Sequence, residues 1–279
     1  MLICALRQTR PSHCRNKVSK MQGTAAYSDL AGRIADASGD VIRRHFRKLS
    51  EVLDKADASP VTIADQEAEA VMRALLEAEC PDHGILGEEG EHVRSEADHL
   101  WVLDPIDGTK NFVCGSYQFG TLICLLTDGV PVLGIIDQPV LGERWLGVAG
   151  ETTTLNGQPI QTRDCTDLAD AWMYSTNPAM FKGADERAFR SLAGFVKHAL
   201  FGTDCIGFGL LAAGHTDIIC EADMSPWDYM ALIPIVEGAG GVISDWSGDP
   251  LNLTSNGTVL ATGDRRVHAM AINALADNL

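Results

Sequence analysis

Two aspartates stand three residues apart in "VLDPIDGTKNF", residues 102–112, between an apolar run and a Gly-Thr step. Acids also occupy three other expected element ends: Asp65 in "TIAD", Glu88 and Glu89 in "GILGEEG", and Asp228 beside Trp227. Each has an ordinary reading. Asp-Gly at 107–108 suits a tight turn, and the Glu pair suits a solvated one. Asp228 is harder to dismiss, because it opens a helix whose following residues, Met230 to Val236, are almost all apolar. A helix apolar on every side is buried. A carboxylate in its first turn must be capped, paired or bound to a cation, since an isolated buried charge is very costly.

In "DPIDGT", Pro105 fixes its own backbone angle and disfavours helix at Asp104, so a strand is expected to end there. Both carboxylates then fall on one tight turn, close enough to share cations. Hard oxygen ligands without nearby Cys or His select Mg²⁺, or Mn²⁺, over zinc. Gly108 and Thr109 would open the next helical turn, where free N–H groups can receive a phosphate oxygen. Rival phosphate chemistries do not fit. No GxxxxGK[ST] loop occurs, and the spacing of Asp104 and Asp107 matches no DxD phospho-aspartate register. Water activated by a metal is left as the nucleophile.

The elements that must position these acids are readable from periodicity. Leu30, Ile34, Val41, Ile42 and Phe46 give residues 29–48 the spacing of an amphipathic helix. Thr62 caps a second helix with Asp65 in its first turn. "GILG" and "HLWVLD" read as strands, and 119–160 as a β meander turning at Asp128-Gly129 and Asn156-Gly157. Helices are expected at "ADERAFRSLAGFV", "GFGLLAAG", "WDYMALIPIVEGAGG" and "DRRVHAMAINALA", with strands at "TDIICE", "GVISDW" and "TVLAT".

Composition narrows the possibilities. The 279 residues carry a formal charge of −16 with no basic stripe, which argues against nucleic-acid binding. The same field would repel a phosphate ester unless cations offset it locally. No apolar run reaches the ~18 residues of a membrane span. Eight cysteines lack CxxC spacing, as expected of free thiols in a reducing compartment rather than a disulfide framework. The first 28 residues hold five Lys or Arg and no acid. Residues 1–27 are therefore expected to be a disordered leader. They read equally as an organellar transit segment or as sequence upstream of a start at Met21.

Taken together, "GEEG" (87–90), "WVLDPIDGTKNF" (101–112) and "WDYMALIPIVEGAGG" (227–241) resemble the three signatures of inositol monophosphatase-like, magnesium-dependent phosphatases, in their usual order. The resemblance runs from about residue 28 to the C-terminus. It implies an α+β fold, a layered αβαβα sandwich of mixed sheets, with halves at 28–155 and 156–279 and the active site between them. It implies Glu88, Asp104, Asp107, Asp228 and the Ile106 carbonyl as ligands for two or three Mg²⁺, with Mn²⁺ as a substitute. Thr109, supported by Asp65, and Glu88 would activate the attacking water. Asp107, Gly108, Thr109 and Asp228 would hold the phosphate. A homodimer acting on a small phosphate ester is also implied.

Within that family, "GIIDQP", "ERW" and "ALIPIVEGAGG" resemble the histidinol-phosphatase branch, and Asp204 and Glu221 stand where the family contacts the leaving alcohol. Two carboxylates suit a cationic amino-alcohol, although Asp204 could instead cap the following helix. The Trp227-Asp228 step departs from the Tyr-Asp step of that branch. The leading expectation is hydrolysis of L-histidinol phosphate in histidine biosynthesis. The alternatives are an inositol-1-phosphate phosphatase of broad specificity and a catalytically silent, cation-binding regulatory protein. A cytoplasmic location is expected, or a plastid or other organelle if the leader is a transit segment.

Overall fold

Strand alternation sends the residues of one short run to two different cores, and this decides the architecture. Trp101 and Leu103 pack into one cluster of buried side chains, while Leu100 and Val102 pack into another. Successive strand side chains point to opposite faces, so "HLWVL" must be covered on both sides. The computed structural model describes residues 13–48, 52–54 and 60–276.

Helix α1 (His13–His45) is followed by strands β1 (Val52–Asp54) and β2 (Pro60–Thr62) and by helix α2 (Ile63–Glu79). Helix α1 starts well before the expected residue 29, since no proline interrupts residues 13–45. It stops ahead of Arg47, whose φ is 56°. Of the expected disordered leader, residues 1–12 lie outside the described residues, and 13–27 belong to α1. The cap of α2 is as expected. Thr62 Oγ1 accepts from Ala64 N at 3.1 Å while Asp65 accepts from Thr62 N at 2.8 Å, a capping box.

Strands β3 (Gly84–Gly87) and β4 (His99–Asp107) pair in parallel. After helix α3 (Thr109–Val113) come β5 (Gly120–Thr127), β6 (Val130–Gln138), β7 (Glu143–Val148), β8 (Thr154–Leu155) and β9 (Gln158–Pro159). They complete a seven-stranded sheet in chain order, antiparallel from β4 onward. Both expected turns have two consecutive positive φ angles, at Asp128-Gly129 and Asn156-Gly157. That is the geometry two-residue hairpins favour.

Strand β10 (Trp172–Ser175), helix α4 (Ala184–Phe195), β11 (His198–Phe201), α5 (Asp204–Ala212), β12 (Ile218–Glu221), α6 (Pro226–Tyr229), α7 (Leu232–Gly238), β13 (Val242–Ser244), β14 (Val259–Thr262) and α8 (Arg265–Ala276) follow. The strands form a mixed five-stranded sheet ordered β11-β10-β12-β14-β13. Strand β11 was not expected from periodicity, because its residues continue an apparently helical run. The single buried helix expected at 227–241 is two short ones. Pro234 has no N–H to donate to the Met230 carbonyl one turn back, which interrupts the ladder there.

The layers follow from the clusters. Leu30, Ile34, Met72 and Leu76 of α1 and α2 cover one face of the large sheet. Residues of α5, α6 and α7, including Phe208, Leu211, Tyr229 and Ile235, fill the space between the two sheets. Phe189 and Leu192 of α4 and Val267 and Ala271 of α8 cover the far face of the small sheet. The result is the αβαβα sandwich.

The middle layer sits unusually close to the large sheet. A Cβ on Gly134 of β6 would strike the Ala231 carbonyl, and one on Gly147 of β7 would strike the Pro234 carbonyl and the Ile235 amide. These are backbone atoms that cannot swing aside. Helix α7, which follows the short helix carrying Asp228, is thereby held against β6 and β7. Gly147→Ala is expected to destabilise the protein by about 1–3 kcal/mol through overpacking, read as a lower urea midpoint with an unchanged slope.

Candidate active site

Strand β4 does not end at Asp104. It continues through Pro105 to Asp107, with a register shift between Asp104, opposite Leu122, and Asp107, opposite Gly120. Proline is tolerated in a strand at such a bulge, where no ladder N–H is required. The Pro105 carbonyl is satisfied by Thr121 Oγ1 at 2.8 Å. The bulge also solves a geometric problem. Residues three apart on a regular strand face opposite sides, and bulges re-aim side chains. Here carboxylate oxygens of Asp104, Asp107 and Asp228 lie within 4.8 Å of one another.

Asp228 reaches the cluster from the third position of α6. Its Oδ2 accepts from Ser225 N at 2.7 Å, so it caps its helix and still contributes to the group. Capping its helix therefore does not take Asp228 away from the carboxylate group. Asp104 is 1% exposed, and neither of its oxygens has a hydrogen-bond partner. Burial, then the charges of Glu88, Asp107, Asp228 and Asp65, push its carboxyl well above the ordinary range. Those same interactions bring Glu88 and Asp65 to the cluster. Burial and then Asp204 and Asp228 raise Asp107 as well, opposed by its bond from Cys205.

A buried carboxylate with no donor, ringed by other carboxylates, fits a hard cation. All side-chain donors in the group are oxygen, the set that Mg²⁺ prefers. The fit is chemical as well as steric, since a divalent ion offsets the repulsion that the fold imposes.

Beyond β4, Gly108 takes φ +85° and precedes α3. Its missing Cβ leaves room for the Gln118 carbonyl and for Asp204, whose Cγ would lie 3.1 Å away. Thr109 Oγ1 donates to the Ile106 carbonyl at 3.1 Å, which joins two of the expected site residues. No hydrogen bond links Thr109 to Asp65. Asp65 Oδ2 is held by Thr62 N at 2.8 Å and Thr62 Oγ1 at 2.6 Å, and its Oδ1 has no partner.

The second half of the site comes from α5 and β12. Asp204 does not cap α5, the alternative raised by its sequence position. The amide at the helix start, Cys205 N, donates instead to Asp107 Oδ2 at 2.6 Å, so a β4 residue ties the large sheet to helix α5 of the middle layer. Asp204 has φ 41°, an uncommon conformation for a non-glycine residue. Its Oδ2 accepts from Asn111 Nδ2 at 2.5 Å. Burial raises its carboxyl, with Asn111 and Lys110 opposing. Glu221 is 2% exposed. Its Oε1 accepts from Thr176 N at 2.7 Å and Thr176 Oγ1 at 3.1 Å, while Oε2 has no partner. Burial raises it well above the ordinary range, with added repulsion from Asp204 and Asp107.

Asn111, Thr176 and the Cys205 amide were not singled out from the sequence. Asn111 lies four residues after Asp107 and was available to inspection. Thr176 and Cys205 carry no local signal, because their partners are distant in the chain.

The model of the inositol monophosphatase family matches residues 26–279. The chain is 43% identical to the "Bifunctional phosphatase IMPL2, chloroplastic" of Arabidopsis thaliana, over 98% of this chain and 82% of that protein. It is 34% identical to a histidinol-phosphatase of Chlorobaculum parvum, over 88% of this chain and 94% of the relative. Among solved structures, an inositol monophosphatase from Zymomonas mobilis superposes with a TM-score of 0.83 at 47% identity, covering 90% of this chain and 99% of that one.

Replacing Asp104 tests the cluster directly. Asp104→Asn removes a buried charge and gives its neighbours an amide donor. In EDTA the variant is expected to melt at a higher temperature than the unmodified protein. The rise in melting temperature on adding Mg²⁺, expected for the unmodified protein, should disappear in the variant. Differential scanning calorimetry with and without Mg²⁺ measures both.

Proposed function

The chain belongs to the inositol monophosphatase family and is a phosphoric monoester hydrolase; we propose that it hydrolyses L-histidinol phosphate to L-histidinol and phosphate. The observation that carries this reading is the pair Asp204 and Glu221. Asp204 is half-buried and Glu221 buried, each fixed by a neutral donor from the protein, Asn111 and Thr176, and Glu221 Oε2 has no partner. An ammonium group would gain charge-assisted hydrogen bonds there, whereas a polyol would gain weaker ones. The histidinol-phosphatase relative supports the same substrate class.

We read the halves as residues 28–155 and 156–279, with the site between them. Glu88, Asp104, Asp107, Asp228 and the Ile106 carbonyl would hold two or three Mg²⁺, or Mn²⁺. When bound, these ions supply Lewis-acid charge to the phosphoryl group and acidify water at the site. The chain's own residues do the rest. The Gly108 and Thr109 amides, at the start of α3, bind phosphate oxygens. The Thr109 hydroxyl, with Asp65 in support, orients the attacking water, and the Glu88 carboxylate takes up its proton. Asp204 and Glu221 grip the ammonium of the departing alcohol and orient its oxygen for release.

A second reading, an inositol-1-phosphate phosphatase of broad specificity, is favoured by the Trp227-Asp228 step and by the Zymomonas mobilis structure. A silent cation-binding protein is disfavoured by the intact set Asp65, Glu88, Asp104, Asp107, Thr109 and Asp228. We propose a homodimer. Among the described residues no helix is long and apolar enough to cross a membrane. We place the protein in the cytoplasm, with a plastid as the alternative that the basic leader and the chloroplastic relative support.

Phosphate release from L-histidinol phosphate, inositol 1-phosphate and adenosine 3′,5′-bisphosphate, with Mg²⁺ and with EDTA, separates these readings. Release is expected to be fastest from the first and abolished by EDTA and by Asp107→Asn, whose circular dichroism should stay native. Equal rates on the first two substrates would sink the histidinol assignment, and no release from any would favour the silent protein. Asp204→Ala is expected to raise KM about 10-fold or more for the aminated substrate, the cost of one charge-assisted contact, and less for inositol 1-phosphate. An equal change in both would leave Asp204 with no part in recognising the amine.

A further inference from the structure

Glu88 lies on the segment after β3, where its own N–H donates to the Leu103 carbonyl at 3.2 Å. The segment is gripped from α2. Glu69, one helical turn beyond Asp65 and 2% exposed, accepts from Glu89 N at 2.8 Å through Oε2 and from Gly90 N at 2.9 Å through Oε1. Arg73, a further turn along, donates from Nε to Glu69 Oε1 at 2.6 Å and from Nη1 to the Glu91 carbonyl at 2.9 Å. The flanking glycines are shaped to this contact. A Cβ on Gly87 would strike Glu69 Oε1, and one on Gly90 would lie 2.8 Å from it. Thus one buried ion pair holds both the amides and a carbonyl of residues 89–91.

We infer that Glu69, backed by Arg73, is a positioning residue that sets Glu88 for cation binding. The charge balance suits the task. A lone carboxylate at this place would add to the repulsion around Asp104. Paired with Arg73, Glu69 fixes two backbone amides while leaving the net charge near the site unchanged. Asp65 and Glu69, four residues apart on one face of α2, then divide the work. Asp65 faces the carboxylate cluster, and Glu69 fixes the loop that brings Glu88 to it. Partners of this kind, one step removed from the metal, typically change metal affinity 10–100-fold.

The inference rests on the reading of Glu88 as a cation ligand, so the test carries Glu88→Gln as a separate arm. Mg²⁺ binding is measured by isothermal calorimetry, with the metal-free melting temperature recorded for each variant. Glu69→Ala is expected to raise the Mg²⁺ concentration for half-saturation 10–100-fold and Glu69→Gln to raise it several-fold, Gln keeping one acceptor. In a Glu88→Gln background, Glu69→Ala should add no further loss. Unchanged half-saturation in the Glu69 variants, while Glu88→Gln weakens binding, overturns the inference and leaves the site reading intact. Additive losses also overturn it, since Glu69 would then act elsewhere. If Glu88→Gln itself binds Mg²⁺ normally, the site reading fails and the inference with it. Should Glu69→Ala not fold, Glu69→Gln decides by the same criterion.

Discussion

The repulsion among buried carboxylates at the end of β4 is the constraint on which the rest of the structure depends. Asp104 is enclosed without a single hydrogen-bond donor, and Asp107 and Asp228 converge on it. A fold that left this cluster without compensation would be penalised, because burying charge is costly in the absence of a partner. The surrounding elements hold the cluster in place nonetheless. The β4 bulge aims two acids to one side, the capping of α6 fixes Asp228, and close glycine contacts press the following helix, α7, against the large sheet. A cation held by the same oxygens would relieve the repulsion.

Asp107 is the point where the large sheet meets the middle helical layer. One of its oxygens caps the amide of Cys205 at the start of α5, and the residue also belongs to the carboxylate cluster. The helix that carries Asp204 is therefore positioned by the same side chain that is proposed to bind metal. This couples the phosphate side of the site to the alcohol side. Asp204, with its positive φ and its bond from Asn111, stores local strain where a substrate group would be met, a common location for such conformations.

Burial on both faces of β4 fixes the register of the strand that carries the acids. Side chains of alternate parity enter separate cores, so the strand cannot slip by one residue without exchanging both sets. The acids at its end inherit that register. The segment after β3 is held by the Glu88 N–H on the Leu103 carbonyl and, beyond it, by the Glu69–Arg73 pair.

The sequence by itself determined the chemistry and most of the elements. Residue types at 65, 88, 104, 107, 109 and 228 carry the proposal of an oxygen-ligand phosphate site, and the Thr62 cap and both hairpin turns are local signals that the fold obeys. Local reading failed where the deciding contact was distant. Pro105 suggested a strand end, but pairing with β5 carries the strand on through a bulge. Asp204 resembled a cap, but Asp107, 97 positions earlier, takes the amide. The apolar run at 227–241 read as one helix until Pro234 removed a bond at its middle. Tertiary structure alone brought Asp228 and Glu221 to the acids of β4, and placed Glu69 beneath the loop of Glu88. The physical reason is that caps and turns are settled by hydrogen bonds within a few residues, whereas bulges, shared carboxylates and loop clamps are settled by which surfaces must be buried together.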